Sequence, residues 1–136
     1  MKRKKIIHLD DHELFGRVLR QSCLNKLSFP VYHLQFTDAA SCIQYVNNCL
    51  LLDAPIDLII TDFNHPGLTG YEFGVAIRKL CTEASVHIPV LLLTMAGPDN
   101  EEIAKGLEEH VFDKYLSKSS TTEDVIAAIV ELCQKA

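Results

Sequence analysis

The sequence predicts an α/β fold in which five parallel strands form one sheet, with helices packed on both of its faces. Short apolar runs of strand length alternate five times along the chain with longer segments whose apolar residues recur every three or four positions. A length of 136 residues suits one domain, and a hydrophobic content of 48% suits a packed core. Right-handed crossovers between successive βα units favour a flavodoxin-like, doubly wound (βα)5 sandwich with the strand order 2-1-3-4-5.

The first two βα units are marked by a change of apolar period at each boundary. An apolar run over residues 5–9 predicts the first strand, and Asp10 or Asp11 is expected to cap the helix that follows. The inward face of that helix is expected to carry Leu14, Phe15, Val18, Leu19 and Cys23. Alternation over residues 31–37 predicts the second strand, and Asp38 opens the next helix. One face of the second strand is expected to carry Val31, His33 and Gln35.

The third and fourth strands are predicted from more continuous apolar runs. Residues 56–61 predict a strand buried on both faces, and a loop of turn-forming residues separates it from a helix over residues 71–81. Residues 89–94 predict the fourth strand, which is the most apolar. Gly97-Pro98-Asp99 then turns into a fourth helix, with Pro98 in its first turn.

The fourth helix is weakly anchored because its apolar stripe is short. That stripe comprises Ile103, Ala104 and Leu107. Gly106 lowers the stability of the helix by up to about 1 kcal/mol relative to alanine. Residues 111–116 predict the fifth strand, and the hydroxyl side chains over residues 119–122 offer N-caps for a final helix that runs through Cys133.

Charge and composition exclude several function classes. A net charge of −5 and a pI near 5.6 argue against nucleic-acid binding, and the basic cluster over residues 2–5 is expected to be a solvated lead-in to the first strand. No apolar stretch approaches the roughly 20 residues of a membrane helix, and none suits an export signal. The five cysteines show no CxxC pair or zinc spacing, which favours a reducing compartment and therefore the cytoplasm.

Chemically active side chains recur where the predicted strands end. Asp10 and Asp11 follow the first strand, and Asp62 follows the third. Thr94 ends the fourth strand, and Lys118 follows the fifth. Taken singly, each has a structural explanation as a helix cap, a loop residue, a strand-end hydroxyl or a surface lysine. Because the carboxyl ends of parallel strands form the ligand-binding edge of such a sheet, we expect these side chains to converge.

This set of residues predicts phosphoryl chemistry. Three adjacent carboxylates repel one another unless a cation joins them, and hard oxygen ligands suit Mg²⁺. A carboxylate can also attack phosphorus and form an aspartyl phosphate, while a metal, a hydroxyl and an ammonium neutralise the transferring group. The residues therefore predict a Mg²⁺-dependent phosphorylation site with Asp62 as the acceptor, because Asp62 lies on the central strand.

Five motifs in order resemble a response-regulator receiver domain over essentially the whole chain, from Lys4 to about Lys135. They are Asp10-Asp11-His12-Glu13-Leu14-Phe15, residues 57–67 around Asp62, Gly70-Tyr71-Glu72, residues 89–94 and Tyr115-Leu116-Ser117-Lys118. The resemblance implies a single CheY-like receiver domain of a two-component system over residues 1–136. Such a domain either stands alone or forms the N-terminal part of a longer regulator.

The resemblance also implies a role in a phosphorelay. Asp62 would accept a phosphoryl group from the phosphohistidine of a sensor histidine kinase or a phosphotransfer protein. Mg²⁺ would be held by Asp11 and Asp62, by the backbone carbonyl of Asn64 and, through water, by Asp10. The domain would catalyse its own phosphorylation and its slow dephosphorylation, so it is not expected to be an enzyme that turns over an outside substrate.

Three further residues would form a switch in a domain of this family. Thr94 and Lys118 would each bind a phosphoryl oxygen, and Tyr115 would turn inward as Thr94 is drawn to the phosphate. The face formed by the fourth helix, the fifth strand and the fifth helix would then be read by a downstream protein or a covalently linked output domain. The resemblance leaves dimerisation on phosphorylation open, and it implies no direct contact with nucleic acid or a membrane.

The residues that follow Thr94 and Lys118 depart from the family pattern. Met95 follows the switch threonine, where the family usually has a very small residue. Ser119 replaces the usual proline after Lys118, as in receivers joined to helix-turn-helix domains. Met95 would narrow access to the phosphoryl pocket, which leaves a receiver-like interaction module without phosphorylation as the alternative. A Mg²⁺-dependent phosphohydrolase is disfavoured, because Asn64 stands where such enzymes place a general acid.

Overall fold

The computed structural model describes residues 2–134 and shows a five-stranded parallel sheet between two layers of helices. In chain order the elements are β1 (Lys4–Leu9), α1 (Glu13–Lys26), β2 (Val31–Phe36), α2 (Ala39–Leu51), β3 (Leu58–Thr61), α3 (Gly70–Glu83), β4 (Val90–Thr94), α4 (Glu101–Glu108), β5 (Lys114–Ser117) and α5 (Thr122–Gln134). Neighbouring strands are parallel, and their order across the sheet is β2-β1-β3-β4-β5. The predicted fold class and strand order are therefore confirmed.

Two apolar clusters, one on each face of the sheet, hold the helices in place. The helices α2, α3 and α4 cover the cluster that contains Ile59 and Leu92, whereas α1 and α5 cover the cluster that contains Ile60 and Leu91. All four of these side chains are fully buried, as expected for central strands with helices on both sides. None of the helices within residues 2–134 has the length and apolar content to cross a membrane.

The first helix differs from its prediction in two respects. Leu14 and Val18, predicted to face the core, are 63% and 58% exposed, and the buried side of α1 is formed by Phe15, Leu19 and Cys23. The residue at the N-cap is His12, whose side chain makes no capping hydrogen bond. Neither Asp10 nor Asp11 caps the helix, because the Asp10 carboxylate is buried and accepts a hydrogen bond from the His12 N–H at 2.9 Å.

The fourth helix begins three residues after Pro98, which lies in the preceding turn instead of the first helical turn. The N-cap is Asn100, whose side chain accepts hydrogen bonds from the N–H groups of Glu102 and Ile103 at 2.9 and 3.2 Å. The predicted caps of two other helices are confirmed. Asp38 accepts from the N–H of Ser41 at 2.8 Å, and Thr121 accepts from the N–H of Asp124 at 3.1 Å.

The fifth strand begins at Lys114, three residues later than predicted. Val111 and Phe112 are apolar because they fill the core, where they pack so closely on Gly74 and Gly106 that a Cβ atom at either glycine would clash. The turn before them places His110 at a φ of 60°, a left-handed conformation that usually favours glycine. The second and third strands are also shorter than predicted, since β2 ends at Phe36 and β3 begins at Leu58.

Candidate functional site

The carboxyl edge of the sheet brings together all five side chains that were predicted to converge. Oxygen atoms of Asp10, Asp11 and Asp62 all lie within 4.8 Å of one another, because β1 and β3 are neighbours in the sheet. Thr94, at the end of β4, and Lys118, just after β5, reach the same point from the other side. The order of the strands across the sheet, which differs from their order along the chain, creates this cluster.

Asp62 lies at the centre of the cluster and is 9% exposed. Its Oδ1 atom accepts hydrogen bonds from the hydroxyl of Thr94 and, at 2.6 Å, from the backbone N–H of Phe63. Its Oδ2 atom accepts from Nζ of Lys118 at 3.0 Å. Each oxygen therefore already faces a donor that could stabilise negative charge at this position.

The ammonium of Lys118 bridges two carboxylates, since it also lies 2.7 Å from Oδ2 of Asp10. It sits 4.5 Å from the centre of the Phe15 ring, which adds a cation–π contact from α1. Burial is the largest single influence on Lys118 and lowers its pKa. The hydrogen bonds and charges of Asp10 and Asp62 act in the opposite direction and together outweigh the effect of burial. The pKa of Lys118 is therefore raised above its usual value, and the group stays charged.

The loop that carries Asp10 and Asp11 is held from β2 by Gln35. The side-chain amide of Gln35 donates to the backbone carbonyls of Asp10 at 3.2 Å and His12 at 3.4 Å. This amide packs directly on Gly16, where a Cβ atom would lie only 2.1 Å from it. The absence of a side chain at Gly16 therefore makes room for the brace.

Two buried histidines lie beneath the site. The rings of His8 and His33 are 5.4 Å apart, both are at least nine-tenths buried, and neither ring nitrogen of either residue has a hydrogen-bond partner within the described structure. Burial, followed by the neighbouring charge, lowers the pKa of His8 well below its usual value and that of His33 to about 4. Both rings are therefore neutral near pH 7. His8 Nε2 lies 3.8 Å from Oδ2 of Asp10.

Sequence reasoning did not assign Gln35, His8 or His33 to the site. The alternation of β2 placed His33 and Gln35 on one face of that strand but did not indicate what that face contacts. What the alternation lacked was the position of β2 beside β1, which pairs His8 with Gln35 in register and brings that face up to the acidic loop.

The acidic cluster is open to solvent on the side of Asp11. Asp11 is exposed and lines a surface cleft of about 470 Å³ together with Asn64 and the loop that follows β3. No hydrogen bond or ion pair joins the Asp11 carboxylate to another described residue. Three carboxylates with one free, solvent-facing member fit the preference of Mg²⁺ for a few hard oxygen ligands and bound water.

Thr94 is linked to Tyr115 through the backbone of Ala96. The Thr94 hydroxyl oxygen accepts from the Ala96 N–H at 3.2 Å, and the Tyr115 hydroxyl donates to the Ala96 carbonyl at 2.8 Å. The half-buried Tyr115 ring packs against the cluster beneath α4. Met95 lies between Thr94 and Ala96 in the chain, and its side chain is 69% exposed.

Comparison with known proteins now identifies the class of this domain. The family model for the response regulator receiver domain matches residues 6–130, so the chain belongs to the receiver domains of two-component response regulators. Its fold is similar to the receiver domain of the putative response regulator NarL from Mycobacterium tuberculosis, with a TM-score of 0.77, 20% identity and full coverage of both chains. It is also similar to a CheY-like receiver domain protein from Methanospirillum hungatei JF-1, with a TM-score of 0.78, 18% identity and coverage of 98% and 96%.

Curated relatives show the same family within longer proteins. The chain is 30% identical to the uncharacterized transcriptional regulatory protein YrkP of Bacillus subtilis over 126 residues, which are 93% of this chain and 48% of YrkP. It is 35% identical to Histidine kinase 1 of Arabidopsis thaliana over 79 residues, which are 58% of this chain and 6% of that protein. The chain thus spans less than half the length of both relatives.

Proposed function

We propose that the domain is a phosphoacceptor in a two-component phosphorelay and that Asp62 receives the phosphoryl group. The observation that carries the proposal is the arrangement around Asp62. One of its oxygens faces the hydroxyl of Thr94 and the other faces the ammonium of Lys118. The acidic cluster opens to solvent beside Asp11. The donor is the phosphohistidine of a sensor histidine kinase or of a phosphotransfer protein.

In the transfer step, an Asp62 oxygen forms a bond to phosphorus while the N–P bond of the phosphohistidine breaks. The released imidazole keeps the electron pair of that bond and takes up a proton. Asp10, Asp11, Asp62 and the backbone carbonyl of Asn64 would hold Mg²⁺, which supplies positive charge to the phosphoryl oxygens when bound. Thr94 and Lys118 donate to these oxygens, so this chain's own residues orient and neutralise the transferring group.

Phosphorylation would then change which atoms Thr94 and Lys118 bind. A phosphoryl group adds a charge of about −1.5 to −2 and three acceptor oxygens. Thr94 follows the phosphate and moves the Ala96 backbone, and this motion changes the hydrogen bond of Tyr115. Because α4 is short and anchored mainly by Ile103, it is the natural element to move.

The surface formed by α4, β5 and α5 is the proposed output face. It would be read in the cytoplasm by a downstream protein, by an output domain joined to the chain or by a second phosphorylated copy. The domain would act as a switch, with self-phosphorylation and slow self-dephosphorylation as its chemistry. Residues 1–136 would form this one unit, either alone or within a longer regulator.

The test is the intact mass of the protein after incubation with Mg²⁺ and acetyl phosphate. We expect a gain of one phosphate that requires Mg²⁺, is lost in Asp62→Asn and is retained in the control Asp53→Asn, whose carboxylate is exposed after α2. We also expect faster phosphorylation in Met95→Ala, because its smaller side chain widens access. A titration with beryllofluoride covers the case in which Met95 excludes the donor. The absence of both a phosphate gain and beryllofluoride binding contradicts the proposal and favours the receiver-like interaction module.

A further inference from the structure

The open edge of the sheet carries a second cleft, whose lining does not include Asp11 or Asn64. β2 is an edge strand, with β1 as its one neighbour in the described sheet. A cleft of about 580 Å³ runs beside it and is lined by Arg3, Arg20, Leu24 and residues 30–35. Successive side chains of a strand point to opposite faces, so a cleft lined by six consecutive residues runs along the backbone of that strand. The cleft therefore runs along the open edge strand β2.

The two arginines at this cleft are not engaged elsewhere. Neither guanidinium has a hydrogen bond or a carboxylate partner within residues 2–134, although the charge of Arg20 contributes to lowering the pKa of His33. They approach the cleft from separate elements, since Arg3 precedes β1 and Arg20 belongs to α1. This positive pair stands out on a chain whose net charge is −5.

The cleft also combines exposed apolar surface with an unsatisfied polar group. Leu24 is 54% exposed and Tyr32 is 45% exposed, and arginine and tyrosine are the residues that most often dominate binding at protein interfaces. His33 lines the same cleft, is 7% exposed and has no partner for either ring nitrogen. Water or a polar group of a ligand in the cleft can donate to or accept from this ring.

We propose that this edge cleft binds an extended acidic peptide, which adds to β2 as a sixth strand and places its carboxylates on Arg3 and Arg20. Strand addition satisfies the outer N–H and C=O groups of β2, and the alternating side chains of the peptide supply specificity. A carboxylate on each arginine makes charge-assisted hydrogen bonds, which are stronger than neutral ones. The cleft shares no lining residue with the α4–β5–α5 face or with the opening beside Asp11, although Gln35 at its end also holds the backbone of Asp10 and His12.

An acidic peptide fits the cleft better than a second copy of this chain does. A second copy of this chain would present β2, whose six residues include no acidic side chain to pair with Arg3 and Arg20. A free inorganic anion would use the guanidinium groups but would leave the backbone edge and the exposed Leu24 and Tyr32 unused. The six residues of β2 match a peptide of six or seven residues in extended form.

The experiment is an NMR titration of the ¹⁵N-labelled protein with a capped heptapeptide of alternating glutamate and valine. We expect saturable shifts centred on the amides of residues 31–36, with binding that weakens as salt is added. The variant Arg3→Ser/Arg20→Ser should raise the Kd by at least about tenfold. The matched control Lys2→Ser/Arg17→Ser removes the same charge from the same two segments but leaves the cleft intact, and should change the Kd less than about twofold.

Four outcomes overturn the proposal. The absence of binding at millimolar peptide contradicts it directly, as do shifts that map away from β2. Equal weakening by the two double variants would show non-specific charge attraction, with the arginines serving to protect the edge from aggregation. Inorganic phosphate that reproduces the shifts and the affinity of the peptide would show a small-anion site without strand addition. The spectra of the variants also report whether each protein is folded.

Discussion

Replacing Lys118 by methionine removes the ammonium that bridges Asp10 and Asp62 while keeping the length of the side chain. In the structure this ammonium lies 2.7 Å and 3.0 Å from the two carboxylates and is 11% exposed. At an effective dielectric constant near 20, each contact corresponds to about 6 kcal/mol of attraction before desolvation is subtracted. Removing one partner of a buried ion pair typically leaves a net loss of about 3–5 kcal/mol, and we expect that loss here.

The same variant should bind Mg²⁺ more tightly, because the cation no longer competes with the ammonium for the carboxylates. Urea denaturation with and without Mg²⁺ measures both effects. In the absence of Mg²⁺ the free energy of unfolding should fall by about 3–5 kcal/mol. Saturating Mg²⁺ should restore more stability to Lys118→Met than it adds to the unmodified protein, since binding to the folded state stabilises it by mass action.

Two other variants separate this effect from a general loss of charge. Lys114→Met breaks the exposed ion pair with Glu131, which is 3.3 Å long, and should cost no more than about 1 kcal/mol. Asp11→Asn removes an exposed carboxylate that lies within 4.8 Å of two others, and at the dielectric constant of water the relief of repulsion is about 0.9 kcal/mol for each of them, or about 1.7 kcal/mol in total without Mg²⁺. A loss below about 1 kcal/mol in Lys118→Met, with an unchanged response to Mg²⁺, would refute the reasoning.

Two further predictions concern residues beneath the site. Gln35→Met keeps the side-chain length but removes the hydrogen bonds to Asp10 and His12, so the Kd for Mg²⁺ by calorimetry should rise by about tenfold; an unchanged Kd in a folded protein would show that the brace is dispensable. Because burial and the charge of Arg20 lower the pKa of His33 to about 4, its stabilising contribution is complete above pH 6.5 and is lost as the pH falls towards 4. Between pH 7 and pH 4, the free energy of unfolding measured by urea denaturation should therefore fall by about 3 kcal/mol less in His33→Leu than in the unmodified protein. An equal fall in the two proteins would contradict this assignment.

The sequence was sufficient to predict the fold because the apolar period reports which faces of each element are buried. The runs at β3 and β4 are apolar at nearly every position, and both strands are covered by helices on each side. Right-handed crossovers and the number of strands then favour the order 2-1-3-4-5. The edge at which Asp10, Asp62 and Lys118 meet was predicted because the carboxyl ends of parallel strands form the ligand-binding edge of such a sheet.

The failures have a common physical reason, which is that a residue type suits more than one environment. Leu14 and Val18 have helical spacing, but the width of the buried stripe depends on how α1 lies on the sheet. Asp10 could cap a helix in isolation, whereas in the folded chain Lys118 and the backbone of His12 bind it instead. Val111 is apolar because it fills the core rather than because it belongs to a strand.

Gln35 illustrates information that local patterns do not contain. Its amide acts on Asp10 and His12, more than twenty residues earlier in the chain, and it needs the space above Gly16. Neither the alternation of β2 nor the period of α1 indicates this contact. It becomes visible only when the register of β1 and β2 is known.

The most direct test of the account is to locate the phosphoryl group on the chain. Treatment of the phosphorylated protein with borohydride reduces an aspartyl phosphate to homoserine, and peptide sequencing by mass spectrometry then finds the reduced residue. The account predicts homoserine at position 62 only after incubation with both Mg²⁺ and the phosphodonor. Homoserine at another aspartate, or a stable phosphate on a histidine or serine with residue 62 unchanged, would contradict it.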